Sequence, residues 1–535
     1  MTSPAFRWTD DLGAGIRFLV RLPAFLRHPL TLGDADAILR RRLAAREADF
    51  LSLIHRRVYQ HPGSPYRELL RLAGCEPGDL ERLVRAEGVE GTLRTLYRQG
   101  VYLAVEELKG RRPIRRGGAT IAWDPAGLRD PGSSARFAAQ TSGSRGPRAP
   151  IAQDLSFLAE LAVDRGLALA ARGGRDWQAA YWDVPGGGLA AILVSAKAGA
   201  RPVRWFSPVD PDLPGVHPRY RWSARLARWV SLGAGRGLPA PRHVSVNDPL
   251  PIARWMAGVL ARRATPFLTT YSSPAVRLCR AAAAAGVRLE GARIAVYGEP
   301  VTPARLAVIR SAGAEAIPVY VTMESGRVGD GCLAPQAADD VHLFHDCHAV
   351  IQPGPTGARP GLPAGALLLT SLRMTAPLTL LNASMGDQAV VSERACGCPL
   401  EALGWTTHLH TVRSYEKLTA GGMTFLDVDV IRVLEQVLPE RFGGAPTDYQ
   451  LVEATAENGN PRARLLVHPA LGALDAEAVR RAFIGALGDG CGAERIMATV
   501  WGDADVLRVE RRPPIVTASG KILHLQLDAG GEASD

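Results

Sequence analysis

The sequence predicts an α/β protein in which a large N-terminal domain opens with a helical part and a small α+β C-terminal domain follows. Three observations predict it. A chain of 535 residues is too long for one ordinary core and points to two or three domains. From Asp34 to Gln99 apolar positions such as Leu39, Leu43, Leu51, Ile54, Leu80 and Leu83 recur mostly at three- and four-residue spacing, the period of helices with one buried face. After Gly100 the texture changes to short apolar runs between Gly and Pro, among them Thr120-Ile121-Ala122-Trp123, Arg293-Ile294-Ala295-Val296-Tyr297 and Ala316-Ile317-Pro318-Val319-Tyr320, which read as buried strands.

Ahead of the helical part, Gly13 to Leu32 mixes basic and apolar residues, with Arg17, Arg21 and Arg27 interrupting Ile16, Phe18, Leu19, Val20, Leu22, Phe25 and Leu26. These charges break any signal-peptide core, and no run approaches the roughly 20 apolar residues of a spanning helix. The segment reads as a packed helix or as an amphipathic one in weak contact with a membrane surface, and a cytoplasmic chain is expected. The alanine-rich stretch Ala275 to Gly286 reads as a helix between strands. Gly421-Gly422 marks a second change of pattern, with a helix from about Val428 to Val437 and then alternating strands at Arg462 to Val467 and Arg495 to Trp501. The expected division is an extension over 1–45, a large domain over 46–412 and a C-terminal domain over 413–535, with no internal repeat.

With 47% hydrophobic and 22% charged residues the chain is neither disordered nor membrane-spanning in bulk. A formal net charge of +10 suits anionic partners. No long basic run is interleaved with aromatics, so nucleic acid is not expected and small polyanions suffice. The seven cysteines, an odd number, argue against a disulfide framework, and Cys75, Cys279 and Cys491 read as core thiols.

Thr141-Ser142-Gly143-Ser144-Arg145-Gly146-Pro147-Arg148 concentrates hydroxyls, glycines and cations. Glycines let backbone N–H groups turn into one concavity, hydroxyls add donors and cations offset phosphate charge, so the run suits a polyphosphate. It fits neither G-x-x-x-x-G-K-[ST] nor G-x-G-x-x-G after a strand.

This run resembles the phosphate loop of the adenylate-forming superfamily, and three further segments follow in that family's order: Tyr320-Val321-Thr322-Met323-Glu324, Gly386-Asp387 and Ser519-Gly520-Lys521. Ser64-Pro65-Tyr66-Arg67, Tyr297-Gly298-Glu299-Pro300 and the cysteine pair near 396 resemble the phenylacetate–CoA ligase-like branch. The resemblance covers roughly residues 45 to 530 and implies a large adenylate-forming domain and a small mobile C-terminal one that carries the catalytic lysine.

What the resemblance implies residue by residue is an ATP site. Thr141, Ser142, Gly143, Ser144 and Gly146 would cradle the outgoing pyrophosphate, with Arg148 or Arg145 adding charge. Glu324 would hold Mg²⁺ and Tyr320 would stack near the adenine, whose ring Gly298, Glu299 and Pro300 would wall. Asp387 would accept both ribose hydroxyls, Arg413 would serve the nucleotide and Glu416 the hinge. Lys521 would bridge the substrate carboxylate and the α-phosphate, where negative charge crowds in the transition state. Tyr271, Ser272, Ser273 and Trp205 would approach the acyl pocket. Val321 and Met323 depart from the family's glycine and hydroxyl, and Leu380 to Met385 replaces its usual Arg-Tyr.

Cys332, His342, Cys396 and Cys398 offer four soft or borderline ligands that the adenylation chemistry does not need, a set able to close a tetrahedral structural zinc site. The branch has a Cys, a following G-L-H and a C-x-C-G in this order; Cys347 and His348 compete as ligands. The expected function is AMP-forming ligation of a small carboxylic acid to a thiol, with ATP, Mg²⁺ and coenzyme A. Acyl transfer to a carrier or acceptor protein, and a nucleotide-binding homologue with weakened catalysis, are the alternatives.

Overall fold

The computed structural model describes residues 8–129, 136–140, 150–200, 202–210, 218–415, 419–420, 423–424, 427–455, 461–488 and 507–527. Helices at Leu32–Ala44, Arg46–Ile54, Pro65–Leu72 and Pro77–Arg98 realise the periodic N-terminal stretch. Local chemistry sets their starts. Thr31 and Asp34 form a capping box, the Thr31 hydroxyl accepting from the Asp34 amide at 3.1 Å, and Pro65 and Pro77 occupy first turns, where a missing N–H costs nothing.

One sheet of twelve strands organises the large part of the chain. Glu315–Thr322, Arg293–Tyr297, Pro266–Tyr271, Gln178–Trp182, Pro202–Ser207 and Pro241–His243 run parallel in that spatial order. On the other side of Glu315–Thr322 the sheet turns antiparallel, through Gly326–Gly331, Val341–Leu343, Thr407–Ser414, Ala383–Glu393, Ala366–Ser371 and His348–Ile351. The switch of strand sense falls on the strand that carries Tyr320, and a register irregularity interrupts that strand between Tyr320 and Val321.

Apolar continuity decides which faces are covered. In the parallel half Ile294, Ala295 and Val296 are all buried, so helices are needed on both faces. Trp8–Arg27, Leu155–Ala171 and Pro185–Lys197 pack one face, with Phe18, Leu22, Leu158 and Ile192 in a shared core. Leu250–Ala261, Ser272–Ala284 and Pro303–Ser311 pack the other through Met256, Leu278 and Ile309. The antiparallel half packs on the N-terminal helices through Phe50, Leu53, Leu93, Leu368 and Leu409.

Residues 8–45 belong to this packed body. The helix Leu32–Ala44 brings Arg42, buried, to Asp164 at 3.2 Å and to Asp346 at 3.2 Å, and Glu160 takes its other nitrogen. After Ser414 a separate four-stranded sheet forms, ordered Leu507–Glu510, Pro461–Val467, Tyr449–Thr455 and Leu525–Leu527. Its core is its own, built from Val433, Leu434, Leu451, Leu465 and Phe483. The expected helix at Val428 to Val437 is present as Asp427–Arg432 and a wider turn at Val433–Val437, whereas Arg495 to Trp501 and Cys491 lie outside the described residues. Cys75 and Cys279 are buried thiols, and among the described residues no helix is long and apolar enough to cross a membrane.

Candidate active site

The parallel strands deliver Asp183, Tyr271, Tyr297 and Tyr320 to their carboxyl ends, the edge at which open α/β sheets bind ligands. Asp183 follows Gln178–Trp182 directly and is buried. Its Oδ1 accepts the Tyr271 hydroxyl at 3.0 Å and the Val184 amide at 2.6 Å, and its Oδ2 accepts the Tyr297 hydroxyl. Burial pushes the Asp183 carboxyl above its usual range, against the pull of these donors and of the Lys521 charge. The rings of Tyr271 and Tyr297 lie 4.7 Å apart, and Trp205 donates its indole N–H to the Asp183 carbonyl at 3.3 Å.

Lys521 reaches this edge from the C-terminal part. Its ammonium stands 4.4 Å from the Tyr271 ring centroid, within cation–π range. A tight turn aims it: the Thr517 hydroxyl accepts the Lys521 amide at 3.1 Å and the Thr517 carbonyl accepts the Gly520 amide at 2.8 Å. Gly520 sits at φ 87°, where a Cβ would strike Val246 at 2.7 Å and Pro274 at 2.9 Å, so only glycine lets the loop approach. Gly298 is the matching cradle, since at φ 73° its Cβ would fall 3.0 Å from the Lys521 Nζ and 2.9 Å from Tyr271.

Glu299 ties the lysine loop down. Its Oε1 accepts the Ile522 amide at 3.0 Å and the Ser273 hydroxyl at 2.5 Å, and its Oε2 accepts the Ser273 amide at 2.9 Å. Behind it a buried charge cluster joins the two parts of the chain. Arg305 lies 3.4 Å from Glu299 and 2.7 Å from Glu435, whose Oε1 is 2.5 Å from His524 Nε2. Burial works against the Glu435 charge, but Arg305 and His524 outweigh it and hold the carboxyl down at about 2. Pro300 contributes its carbonyl to Arg305 at 3.4 Å.

Tyr320 lies two residues beyond the Pro318–Val296 pair, where the neighbouring strand Arg293–Tyr297 has ended and Gly298 opens the following loop. Its hydroxyl donates to Asp387 Oδ2 at 3.0 Å, which brings the second and third motifs together. Gly386, at φ 91°, precedes Asp387 within Ala383–Glu393, and its carbonyl accepts the Tyr415 amide at 2.9 Å. Glu324 occupies the turn between Glu315–Thr322 and Gly326–Gly331, which the Thr322 hydroxyl closes by accepting the Ser325 amide at 3.1 Å. Arg413 is buried and donates to Asp339 at 2.8 Å, whose carboxylate also accepts the Thr411 and Val412 amides.

Thr141, Ser142, Gly143, Ser144, Gly146 and Arg148 lie outside the described residues, as do Arg145 and the hinge candidate Glu416. The described strands around the loop, Arg136–Gln140 and Pro150–Asp154, pair antiparallel. Asp154 then caps the helix Leu155–Ala171, accepting the Phe157 amide at 2.8 Å.

The sulfur and imidazole groups converge at the antiparallel side. Donor atoms of Cys332, His342, Cys396 and His408 all lie within 4.8 Å of one another. The Cys398 thiol, 3.2 Å from His342 Nε2, flanks them. The ring nitrogens are oriented as ligands need. His342 Nδ1 is 2.6 Å from the Trp405 carbonyl and His408 Nδ1 is 2.8 Å from Asp340, while the buried Nε2 of His408 has no hydrogen-bond partner. Burial holds the His342 imidazole down at about 4, hence neutral near pH 7. Cys347 and His348 are placed elsewhere, Cys347 beside Arg42 and Asp164 and His348 against the Arg327 carbonyl at 3.1 Å.

Sequence reading missed Asp183, Tyr297 and His408. An acid between an aromatic strand end and the Gly-rich start of a helix was the available signal for Asp183. His408 comes to His342 only through strand register, in which the two are paired.

No family model and no curated protein matches the chain. Among solved structures, a 2-hydroxyisobutyryl-CoA ligase bound to 2-HIB-AMP and CoA is 16% identical over 94% of this chain and 91% of its own, with a TM-score of 0.46. An anthranilate CoA ligase, AuaEII, bound to anthranoyl-AMP is 14% identical over 72% of this chain and 65% of its own, TM-score 0.44. An O-succinylbenzoate coenzyme A synthetase from Bacillus subtilis, bound to ATP and magnesium, is 14% identical over 72% and 68%, TM-score 0.41. All three are named as coenzyme A ligases or synthetases.

Proposed function

We propose that the chain is an AMP-forming acid–thiol ligase of the adenylate-forming superfamily, in its phenylacetate–CoA ligase-like branch. One observation carries the reading: the Lys521 ammonium rests against Gly298 and Tyr271 at the carboxyl edge of the sheet, one strand from Tyr320 and its partner Asp387. Three motifs widely separated in sequence thereby meet at one edge.

In this reading a substrate carboxylate attacks the α-phosphorus of ATP. The carboxyl O–P bond forms, the bond to the β-phosphate bridge breaks, and pyrophosphate leaves into the cradle of Thr141, Ser142, Gly143, Ser144 and Gly146. Lys521 acts on charge that develops at the reacting oxygens, which is where a preorganised cation is most effective. Asp387 anchors the ribose and Glu324 would hold Mg²⁺, which when bound offsets phosphate charge. A thiol, with coenzyme A as the proposed acceptor, then attacks the acyl carbon and releases AMP. Domain movement about Glu416 between the two half-reactions would carry Lys521 away from the edge.

The cluster of Cys332, His342, Cys396, Cys398 and His408 is proposed to hold one structural zinc ion. Thiols, two imidazoles fixed by a carbonyl and a carboxylate, and an unpartnered buried His408 Nε2 fit that ion. Val321, Met323 and the missing Arg-Tyr ahead of Gly386 favour the second reading, a homologue with weakened turnover.

Pyrophosphate release measured across aromatic and aliphatic acids, with and without coenzyme A, tests the assignment. Acid-dependent release that continues past one turnover only with coenzyme A is the expected result. Release sustained only by an acceptor protein would move the assignment to acyl-protein transfer, and ATP binding with no release for any acid would favour the weakened homologue.

A further inference from the structure

The helices Trp8–Arg27 and Pro218–Gly233 pack against each other, and their inward faces enter one core through Phe18, Leu22, Phe25, Leu26 and Ala227. Their outward faces break the usual rule for a surface helix. Val20 is 73% exposed, Trp229 71%, Ile16 55%, Leu232 48% and Leu226 44%. Of the nine large hydrophobic side chains exposed among the described residues, five lie on these two neighbouring helices, so the pattern is a patch and not scatter. Ile16 and Val20 are one turn apart on the first helix, and Leu226, Trp229 and Leu232 follow at three-residue steps on the second.

Beyond Asp10 and Asp11 in its first turn, the first helix carries only basic charges, as does the second along its whole length. Arg17, Arg21 and Arg27 are exposed on the first helix, and Arg225 and Arg228 on the second. Residues 12–28 and 218–237 contain no Asp or Glu. We propose that this composite face docks on an anionic lipid bilayer, with the apolar side chains at headgroup depth and the arginines among the phosphates.

Bilayers offer both halves of that complement at once, since arginine stems lie along apolar surface while guanidinium groups bind phosphate. A second copy of this chain does not. A two-fold contact through the patch would oppose arginines to arginines, because the only carboxylates of the two helices, Asp10 and Asp11, lie in the first turn of Trp8–Arg27, ahead of Ile16 and Val20. The two-helix surface also extends beyond the N-terminal segment that sequence periodicity singles out, because Trp229 and its neighbours lie some two hundred residues downstream.

The test is co-sedimentation of the full chain with vesicles of phosphatidylcholine containing about a quarter phosphatidylglycerol, beside vesicles of phosphatidylcholine alone. Binding is expected only to the anionic vesicles and should weaken as salt is raised. The double variant Val20→Asn, Trp229→Ser should bind at least about tenfold more weakly, as should Arg17→Glu with Arg228→Glu. All four positions are exposed and none belongs to the proposed catalytic or nucleotide-binding residues, so acyl-AMP formation from a water-soluble acid should be unchanged in both variants. Failure of the wild-type chain to sediment at low salt, or equal binding by either variant, would overturn the proposal. So would concentration-dependent dimerisation abolished by the Val20→Asn, Trp229→Ser pair, or capture of an acidic peptide by the wild type in place of vesicles.

Discussion

At the scale of single residues, two groups at the proposed site should fail in different ways. Lys521 is held by its turn against Tyr271, where its charge acts on oxygens that become more negative during reaction. Lys521→Ala should therefore lower acyl-AMP formation by at least about a hundredfold while ATP affinity stays nearly unchanged. Unaltered acyl-AMP formation in single-turnover assays would remove the lysine from the chemistry. Asp387 is proposed to hold the ribose before and throughout the reaction, so Asp387→Ala should weaken ATP binding by on the order of 2–3 kcal/mol, read by calorimetry. Equal affinity would leave the Tyr320–Asp387 hydrogen bond as a purely structural link. Both residues were singled out in the sequence by the short motifs that carry them. Asp183 was not: its importance comes from two tyrosines at the ends of other strands, 88 and 114 residues away, and only the parallel register brings them to it.

Secondary-structure elements show where reading by pattern succeeds and where it stops. Helices with one buried face and the buried strand Arg293–Tyr297 were legible because their periods are local, whereas of Thr120 to Trp123 only Thr120 and Ile121 fall in a strand, a short hairpin arm with one buried residue. Ligand sets across strands were legible only in part, because a cysteine or histidine reports its type but not its register. Cys332, His342, Cys396 and Cys398 were found by order along the chain, whereas His408 enters by pairing with His342 across Val341–Leu343 and Thr407–Ser414. A shared ion would clip the segment after Gly326–Gly331 to the loop between Ala383–Glu393 and Thr407–Ser414. Cross-links of this kind act on the unfolded chain as well as on the folded one. Purified protein should then contain about one zinc per chain, and Cys396→Ser should lower zinc content and melting temperature together. Acyl-AMP formation per folded molecule should persist, because none of the cluster's residues has a role in the proposed chemistry. Metal analysis finding no zinc in protein prepared without chelator would refute the site. Loss of activity in a stably folded variant would refute its structural role.

Across the whole molecule, buried charge makes stability depend on pH from both ends. A change of pattern near Gly421 was legible from glycines and a change of period, but the ionic contact between the large sheet and the four-stranded one was not, since Glu299, Arg305, Glu435 and His524 stand out by no local pattern. Glu435 is held down at about 2, below its unfolded value, so its contribution is present above about pH 4.5 and is lost as pH falls through about 2. Asp164 behaves in the opposite sense. Its burial and the nearby Asp346 outweigh the Arg42 charge and push it up to about 8. Folded protein therefore keeps a proton that the unfolded chain releases near its ordinary value, and stability must fall as pH rises from about 4 to about 8. The physical reason is that one guanidinium faces two fully buried aspartates and a partly buried glutamate, a ratio that leaves negative charge in low dielectric. Asp164→Asn keeps the shape and the hydrogen-bonding capacity while removing the titration. Thermal melts between pH 5 and 9 should show the wild type losing on the order of 1–3 kcal/mol towards the alkaline end, and the variant should show a markedly flatter profile. An identical alkaline slope in the two proteins would mean that Asp164 is already ionised at neutral pH and that Arg42 alone suffices for both aspartates.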